Sequence, residues 1–187
     1  MFGLSIFNPV VFDSHYSFIK VGCKHTFIHY NYIKTHIYTF KTNKAKYIVE
    51  VEEYRQNIFI IKFYRKIDRF CKNKFNVLTN EFNCTRIIST CVRILISILE
   101  KNHSASFGFL GSNTISPNFI EKKEDTQRFG IYKAVMENFV GDIVFSHAMD
   151  KIHSTYLMIN RNNQPEDRFL VIAKQMFEGI FPELENI

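Results

Sequence analysis

The chain has 187 residues, of which 24 are Lys or Arg and 18 are Asp or Glu, so that it carries a formal net charge of +6 and a pI near 9.1. Hydrophobic residues make up 46% and charged residues 22%, a composition that excludes an intrinsically disordered chain. The length fits one domain that buries enough apolar surface to fold without metals or disulfides.

The positive charge is spread along the chain, and its densest stretch runs from Lys62 to Lys74. The chain is also rich in Lys, Asn, Ile, Phe and Tyr, whose codons are AT-rich, so genome bias accounts for part of the Lys excess. Scattered charge is typical of a solvated surface, whereas a nucleic-acid interface needs a basic face.

The four cysteines, Cys23, Cys71, Cys84 and Cys91, form no CxxC pair, which favours free thiols in a reducing compartment. No apolar run reaches the length of a membrane-spanning helix, and residues 1 to 12 lack the basic start of a signal peptide. We therefore expect a cytoplasmic protein without a membrane segment.

Residues 1 to 38 differ in texture from the remainder, because they are rich in His and aromatic residues and contain a single acid, Asp13. We predict an N-terminal extension over residues 1 to 38, with edge strands at Tyr16–Val21 and Thr26–Ile33. A single domain over residues 39 to 187 follows.

A hairpin opens this domain. Residues 46 to 54 alternate, with Tyr47, Val49 and Val51 on one face, and residues 58 to 64 form the second strand after a short polar turn. Residues 75 to 78 suggest a short third strand.

The strongest pattern covers residues 83 to 102, where apolar residues recur at the i, i+3, i+4, i+7 spacing of one buried helical face. These residues are Cys84, Ile87, Ile88, Cys91, Val92, Leu95, Ile98 and Leu99, and the polar positions opposite include Arg86, Ser89 and Arg93. Asn80 or Asn83 fits the N-cap. A strand over residues 104 to 111 then places Phe107 and Phe109 on one face.

The last third of the chain predicts a polar, mobile loop over 112 to 123, a helix from Asp125 or Thr126 to about Phe139, and a hairpin over 143 to 160. Pro165 is typical of the first turn of a third helix. The predicted fold is α+β, with an antiparallel or mixed sheet of about 5–7 strands and three helices packed mainly on one face.

Arg128 and Tyr132 are four residues apart and share one helical face. We interpret Arg128 as a tie between elements, paired with Glu100, Asp125 or the polar face of the first helix, or alternatively as an anion contact. Arg86 and Arg93 are the further candidates for an interaction or anion contact. If the protein instead binds nucleic acid, its contacts are expected at Lys62, Arg65, Lys66, Arg69, Lys72 and Lys74.

Other chemistries lack a complete residue set. Cys23, His25 and His29 would share a strand face, but their spacing matches no standard zinc site. Neither Cys71 nor Cys91 is marked as a nucleophile beside His103 or His147. The acids Glu50, Glu52 and Glu53 lack the acid and lysine spacing of a metal-dependent nuclease, so we assign them to a solvated strand face. We predict no metal and no cofactor.

The chain resembles small uncharacterised bacterial protein families at Ile87–Leu99, Phe107–Ser112 and Thr126–Tyr132. Those families share a strand pair, a helix, a strand ending in Gly-Ser and a Thr-x-Arg-x-x-Leu/Ile-Tyr segment. The resemblance implies a compact single-domain fold of unknown function, and it assigns no role to any residue.

We expect a non-catalytic interaction or regulatory module that binds a protein partner or a second copy of itself as a homodimer. The abundance of aromatic residues, 20 Phe and 9 Tyr, supports an interface if some of them are exposed. The alternatives are a basic nucleic-acid-binding protein, and a hydrolase or nuclease whose site is assembled from distant residues.

Overall fold

A computed structural model describes residues 14–28, 31–77, 83–116, 118–140, 142–163 and 165–180. Predictions that fall outside these ranges include residues 1–13 of the extension, Asn80 as a cap, residue 78 as a strand end and His29 as a ligand.

The described residues form nine strands and three α-helices. The strands are β1 (Phe18–Ile28), β2 (Asn31–Lys41), β3 (Lys46–Glu53), β4 (Ile58–Arg65), β5 (Ser106–Leu110), β6 (Ile115–Ser116), β7 (Phe119–Ile120), β8 (Phe145–Asp150) and β9 (Thr155–Asn160). The helices are α1 (Cys84–Leu99), α2 (Gln127–Phe139) and α3 (Glu166–Ile180).

Seven strands form one mixed sheet in the order β1-β2-β3-β4-β5-β9-β8, and β6 and β7 form a separate two-stranded sheet. Neighbours in the large sheet are antiparallel except β4 and β5, which run parallel. The chain returns from β4 to β5 through α1, as a parallel pair requires. The predicted α+β fold is confirmed.

The outermost strand is β1, which lies within the predicted extension, and β2 runs through residue 38, the predicted boundary. The edge carries Lys20 and Lys24 and an irregular register between Lys20 and Gly22. Charged side chains and bulges are devices that discourage edge-to-edge pairing.

The helices cover both faces of the sheet. Helices α1 and α2 pack against the face that carries Val49, Ile61 and Phe107, called here the α1 face. Helix α3 packs through Phe169 and Ala173 against the opposite face, called the α3 face. Two of the three helices therefore share one face, as predicted.

Helix α1 is the centre of the larger core, and eleven of its sixteen residues are buried. Two details of its prediction are wrong: Cys84 is exposed because it lies in the first turn, and Ser89 is buried. Asn83 occupies the N-cap position, although its side chain makes no capping hydrogen bond.

Most of the described aromatic residues belong to the core. Phe40 stacks between Tyr16 and Tyr47, with ring centroids 5.7 and 5.0 Å away, and Phe59 and Phe145 both contact Phe107. Among the described Phe and Tyr residues, the strongly exposed ones are Phe70 and Phe119. The abundance of aromatic residues is thus largely explained by packing.

Two connections differ from their prediction. Residues 75 to 77 form a turn instead of a strand, and residues 112 to 123 contain the β6–β7 hairpin. Asn76 ties the two connections together, because its amide donates to the Asn113 carbonyl at 2.8 Å. None of the described helices has the length and apolar composition needed to cross a membrane.

Substituting Gly111 by Ala is expected to destabilise the junction of β5 and α2. A Cβ there would lie 2.7 Å from Phe129 Cβ and 2.8 Å from Phe129 N, and a helix backbone cannot move aside freely. We expect a loss of about 1–3 kcal/mol in the free energy of unfolding, measured by chemical denaturation.

The matched control is Gly130→Ala, next to Phe129 in helix α2, where no atom lies within 4 Å of the added Cβ. It should raise the free energy of unfolding by about 0.5–1 kcal/mol, because Ala favours a helix over Gly. Equal effects of the two substitutions would contradict the close packing at Gly111.

Candidate anion-binding cleft

A cleft of about 660 Å³ opens at the carboxyl ends of the parallel strands β4 and β5. Strand β4 extends beyond Phe109, its last partner in β5. The two strands are followed by the connections 66–83 and 111–126. Ligands commonly bind where the carboxyl ends of parallel strands meet such connections. The volume is that of a small-molecule site.

The cleft is basic. The charged residues among its described lining are five cations and one carboxylate: Lys62, Arg65, Lys74, Lys123, Arg128 and Asp68. The cleft therefore combines Arg128 and Tyr132 with three of the residues proposed for nucleic acid. These two sets were predicted from separate parts of the chain.

Arg128 is held in the cleft by neutral groups. Its guanidinium donates to the carbonyl oxygen of Phe75 and, at 2.8 Å, to that of Val77. No carboxylate of the described residues lies within ion-pair distance of it, including the predicted partners Glu100 and Asp125. Arg128 thus ties α2 to the 73–77 turn without an ion pair among the described residues, although its charge helps to lower the pKa of Glu121.

Tyr132 lies one helical turn beyond Arg128 and lines the same cleft. The residue is 8% exposed, its ring packs 5.3 Å from that of Phe109, and its hydroxyl has no hydrogen-bond partner within the described part of the chain. Burial, offset in part by Arg128, raises the pKa of Tyr132 above its usual value, so the hydroxyl remains a donor.

Lys62 and Lys74 each lie within ion-pair distance of an acid of β3. Lys62 Nζ lies 2.7 Å from Glu52 Oε2, and Lys74 Nζ lies 3.7 Å from Glu50 Oε1 and 4.0 Å from the centre of the Tyr64 ring. The assignment of these acids to a solvated face is wrong for Glu50, which is buried.

The reason is that distant parts of the chain cover Glu50. Lys24 of β1 approaches it to 3.2 Å, and the Tyr64 hydroxyl donates to it at 3.2 Å. Burial and the Glu50 charge raise the pKa of Tyr64 to about 12.

The remaining predicted contacts either form an ion pair within the protein or lie outside the cleft. Arg65 forms an ion pair with Asp68, at 2.7 Å, and the Arg69 guanidinium covers the Phe70 ring. Lys66 and Lys72 are exposed on the same connection. On α1, Arg86 stacks 4.2 Å from the centre of the Tyr16 ring, and Arg93 is half-buried. Arg86 and Arg93 are not among the residues that line the cleft.

A His–Asp pair borders the cleft at the β8–β9 turn. Nδ1 of His153 lies 2.8 Å from Asp150 Oδ2, and Asp150 Oδ1 accepts the amides of Ile152 and His153. Burial alone would raise the pKa of Asp150, but its hydrogen bonds with His153 and these amides lower it. The carboxylate therefore fixes both the turn and the orientation of the imidazole.

The described residues contain no metal site and no cysteine–histidine pair of the kind considered from the sequence. Cys91 is fully buried, which raises the pKa of its thiol, and His147 contacts the Tyr156 hydroxyl at 2.8 Å. No group of three or more His, Cys, Asp or Glu residues within the described ranges is arranged to hold a metal ion.

Sequence reasoning missed Lys123, His153 and the 73–77 turn as parts of the cleft. Asp150 followed by His153 carries a usable signal, since an Asp that begins a turn often accepts the amides two and three residues on. The 73–77 turn has no such signal in the sequence, because its carbonyl groups bind Arg128, which lies 51 residues beyond Val77.

The chain matches no family model, no curated protein and no solved structure.

Glu121→Gln is expected to loosen the loop that borders the cleft. The Glu121 carboxylate accepts the amides of Gln127 and Thr114, both at 2.7 Å, at the start of α2. Partial burial alone would raise its pKa, but these hydrogen bonds, together with the nearby Arg128 charge, outweigh burial and lower it. We expect a loss of about 1 kcal/mol in the free energy of unfolding at neutral pH.

The pH dependence follows from the lowered pKa. The ionised carboxylate stabilises the folded state above its usual pKa of 4.5, and this contribution disappears as the pH falls through the lower folded-state value. The difference between wild type and Glu121→Gln should therefore narrow in acid. Glu124→Gln, an exposed carboxylate in the same loop, is the control and should have little effect at any pH.

Proposed function

We propose that the protein is a non-catalytic binding module whose cleft holds a small anion between the Arg128 guanidinium and the Tyr132 hydroxyl. The observation that carries this proposal is that, among the described residues, the buried Tyr132 hydroxyl has no hydrogen-bond partner and the Arg128 guanidinium bonds to carbonyl oxygens without an ion pair.

The physical argument concerns the cost of this arrangement. A buried hydroxyl without a hydrogen bond destabilises a fold by about 1–3 kcal/mol, so its presence in a cleft favours a ligand that accepts its proton. The two carbonyl groups fix the Arg128 side chain and leave other guanidinium N–H groups to donate. An anion satisfies both residues at once.

The rest of the cleft supports an anion by its charge. Lys123 has no carboxylate within ion-pair distance among the described residues, and Lys74 shares Glu50 with Lys24. Aromatic rings of Tyr64 and Phe75 lie beneath the Lys74 ammonium group and hold it at the cleft without neutralising it.

The geometry favours a small ligand over nucleic acid. Lys62 points from the α3 face of the sheet, whereas Arg86, a further basic residue, belongs to α1 on the opposite face, so these two cannot contact one nucleic-acid strand along a continuous face. Three of the six residues predicted as nucleic-acid contacts form ion pairs within the protein.

Tyr132→Phe tests the proposal, because it removes only the hydroxyl oxygen. We expect the affinity for inorganic phosphate, measured by calorimetry, to fall about tenfold, the value of one hydrogen bond to a charged group. The free energy of unfolding should stay the same or rise by up to about 1 kcal/mol, since no hydrogen bond within the protein is lost.

The control is Tyr38→Phe, a buried tyrosine outside the cleft whose hydroxyl bonds to Ser97. This variant should lose about 1 kcal/mol of stability and keep its phosphate affinity. Two results would contradict the proposal: undiminished phosphate binding by Tyr132→Phe, or phosphate release from a phosphate monoester by the wild type, which would show catalysis.

A further inference from the structure

A second cavity, of about 200 Å³, adjoins the basic cleft on the α3 face of the sheet. It lies between α3 and the strands β5, β8 and β9. The apolar residues that form most of its wall include Ile60, Ala148, Leu157, Leu170 and Ala173.

Two alanines keep this cavity open, because Ala148 and Ala173 face it from β8 and α3. Gly108 of β5 does not enlarge it, because Ile60 Cδ1 occupies the space where a Cβ would lie. A cavity of about 150 Å³ lined by aliphatic and aromatic groups is large enough for benzene, so this one accommodates a group of that size.

The two cavities are neighbours with opposite character. Leu110 and His153 line both of them, so the end of β5 and the β8–β9 turn form their common border. Asp150 fixes the His153 ring at this border. A molecule that spans the border would meet cations on one side and aliphatic side chains on the other.

We infer that the ligand is a small amphipathic anion: a phosphate or carboxylate that carries one apolar group about the size of a phenyl ring. This inference rests on the proposed function, because it takes the anionic group to lie in the basic cleft. It adds that the apolar group occupies the second cavity.

Phenyl phosphate and inorganic phosphate are the probes that test it. We expect phenyl phosphate to bind the full-length protein at least about tenfold more tightly, as is typical of an added apolar group that enters a fitting pocket. Ala148→Leu should fill the cavity and abolish this difference, while the affinity for inorganic phosphate is retained.

Ala134→Leu is the matched control, because Ala134 is exposed on α2 and lines neither cavity. It should bind both probes as the wild type does. If Ala148→Leu fails to fold, contacts between the phenyl protons and the methyl groups of Leu157 and Leu170, detected by NMR on the wild type, provide the same test.

The outcomes separate the two claims. If neither probe binds, the proposed function is wrong and the inference falls with it. If both bind equally, or if Ala148→Leu leaves the advantage of phenyl phosphate intact and no phenyl–methyl contacts are seen, the inference alone is overturned.

Discussion

The parallel pairing of β4 with β5 is the constraint on which the other features depend. Parallel neighbours cannot be joined by a tight turn, so the chain must cross over through α1, and the buried face of that helix forms the larger core. Both strands then end at the same edge of the sheet. The cleft lies there because two long connections leave that edge side by side.

Those connections are held together by side chains that bond to backbone atoms. Arg128 binds the carbonyl groups of the 73–77 turn, Asn76 binds Asn113, and Glu121 binds the amides of Thr114 and Gln127. Each bond joins segments that share no regular secondary structure. The shape of the cleft therefore depends on a few polar contacts, whereas the sheet beneath it depends on apolar packing.

The sequence predicts the features that depend on apolar packing and misses those that depend on these polar contacts. The periods of α1 and β3 are properties of adjacent residues, so the sequence shows the buried faces of Val49, Val51, Ile87 and Leu95 directly. Glu50 lies at an outward position of the same alternating pattern, so the sequence predicts a solvated side chain. It is buried in the structure because Lys24 and Lys74, which belong to other segments, cover it. Residues 75 to 77 have the composition of a strand, and a distant Arg holds them as a turn. The spacing of Arg128 and Tyr132 predicts a shared helical face, but only the tertiary structure places that face at a cleft.

The partners of the cleft cations distinguish a structural role from a binding role. Lys62 and Arg65 contact carboxylates at 2.7 Å, so their charges are largely neutralised within the protein. Arg128 is held as firmly by carbonyl oxygens, which are dipoles and leave the net charge in place. If its only role were to tie α2 to the turn, a neutral donor such as the Asn76 amide would serve, as it does for Asn113. A guanidinium fixed by neutral groups, beside a tyrosine hydroxyl without a hydrogen-bond partner among the described residues, keeps a positive potential at the cleft.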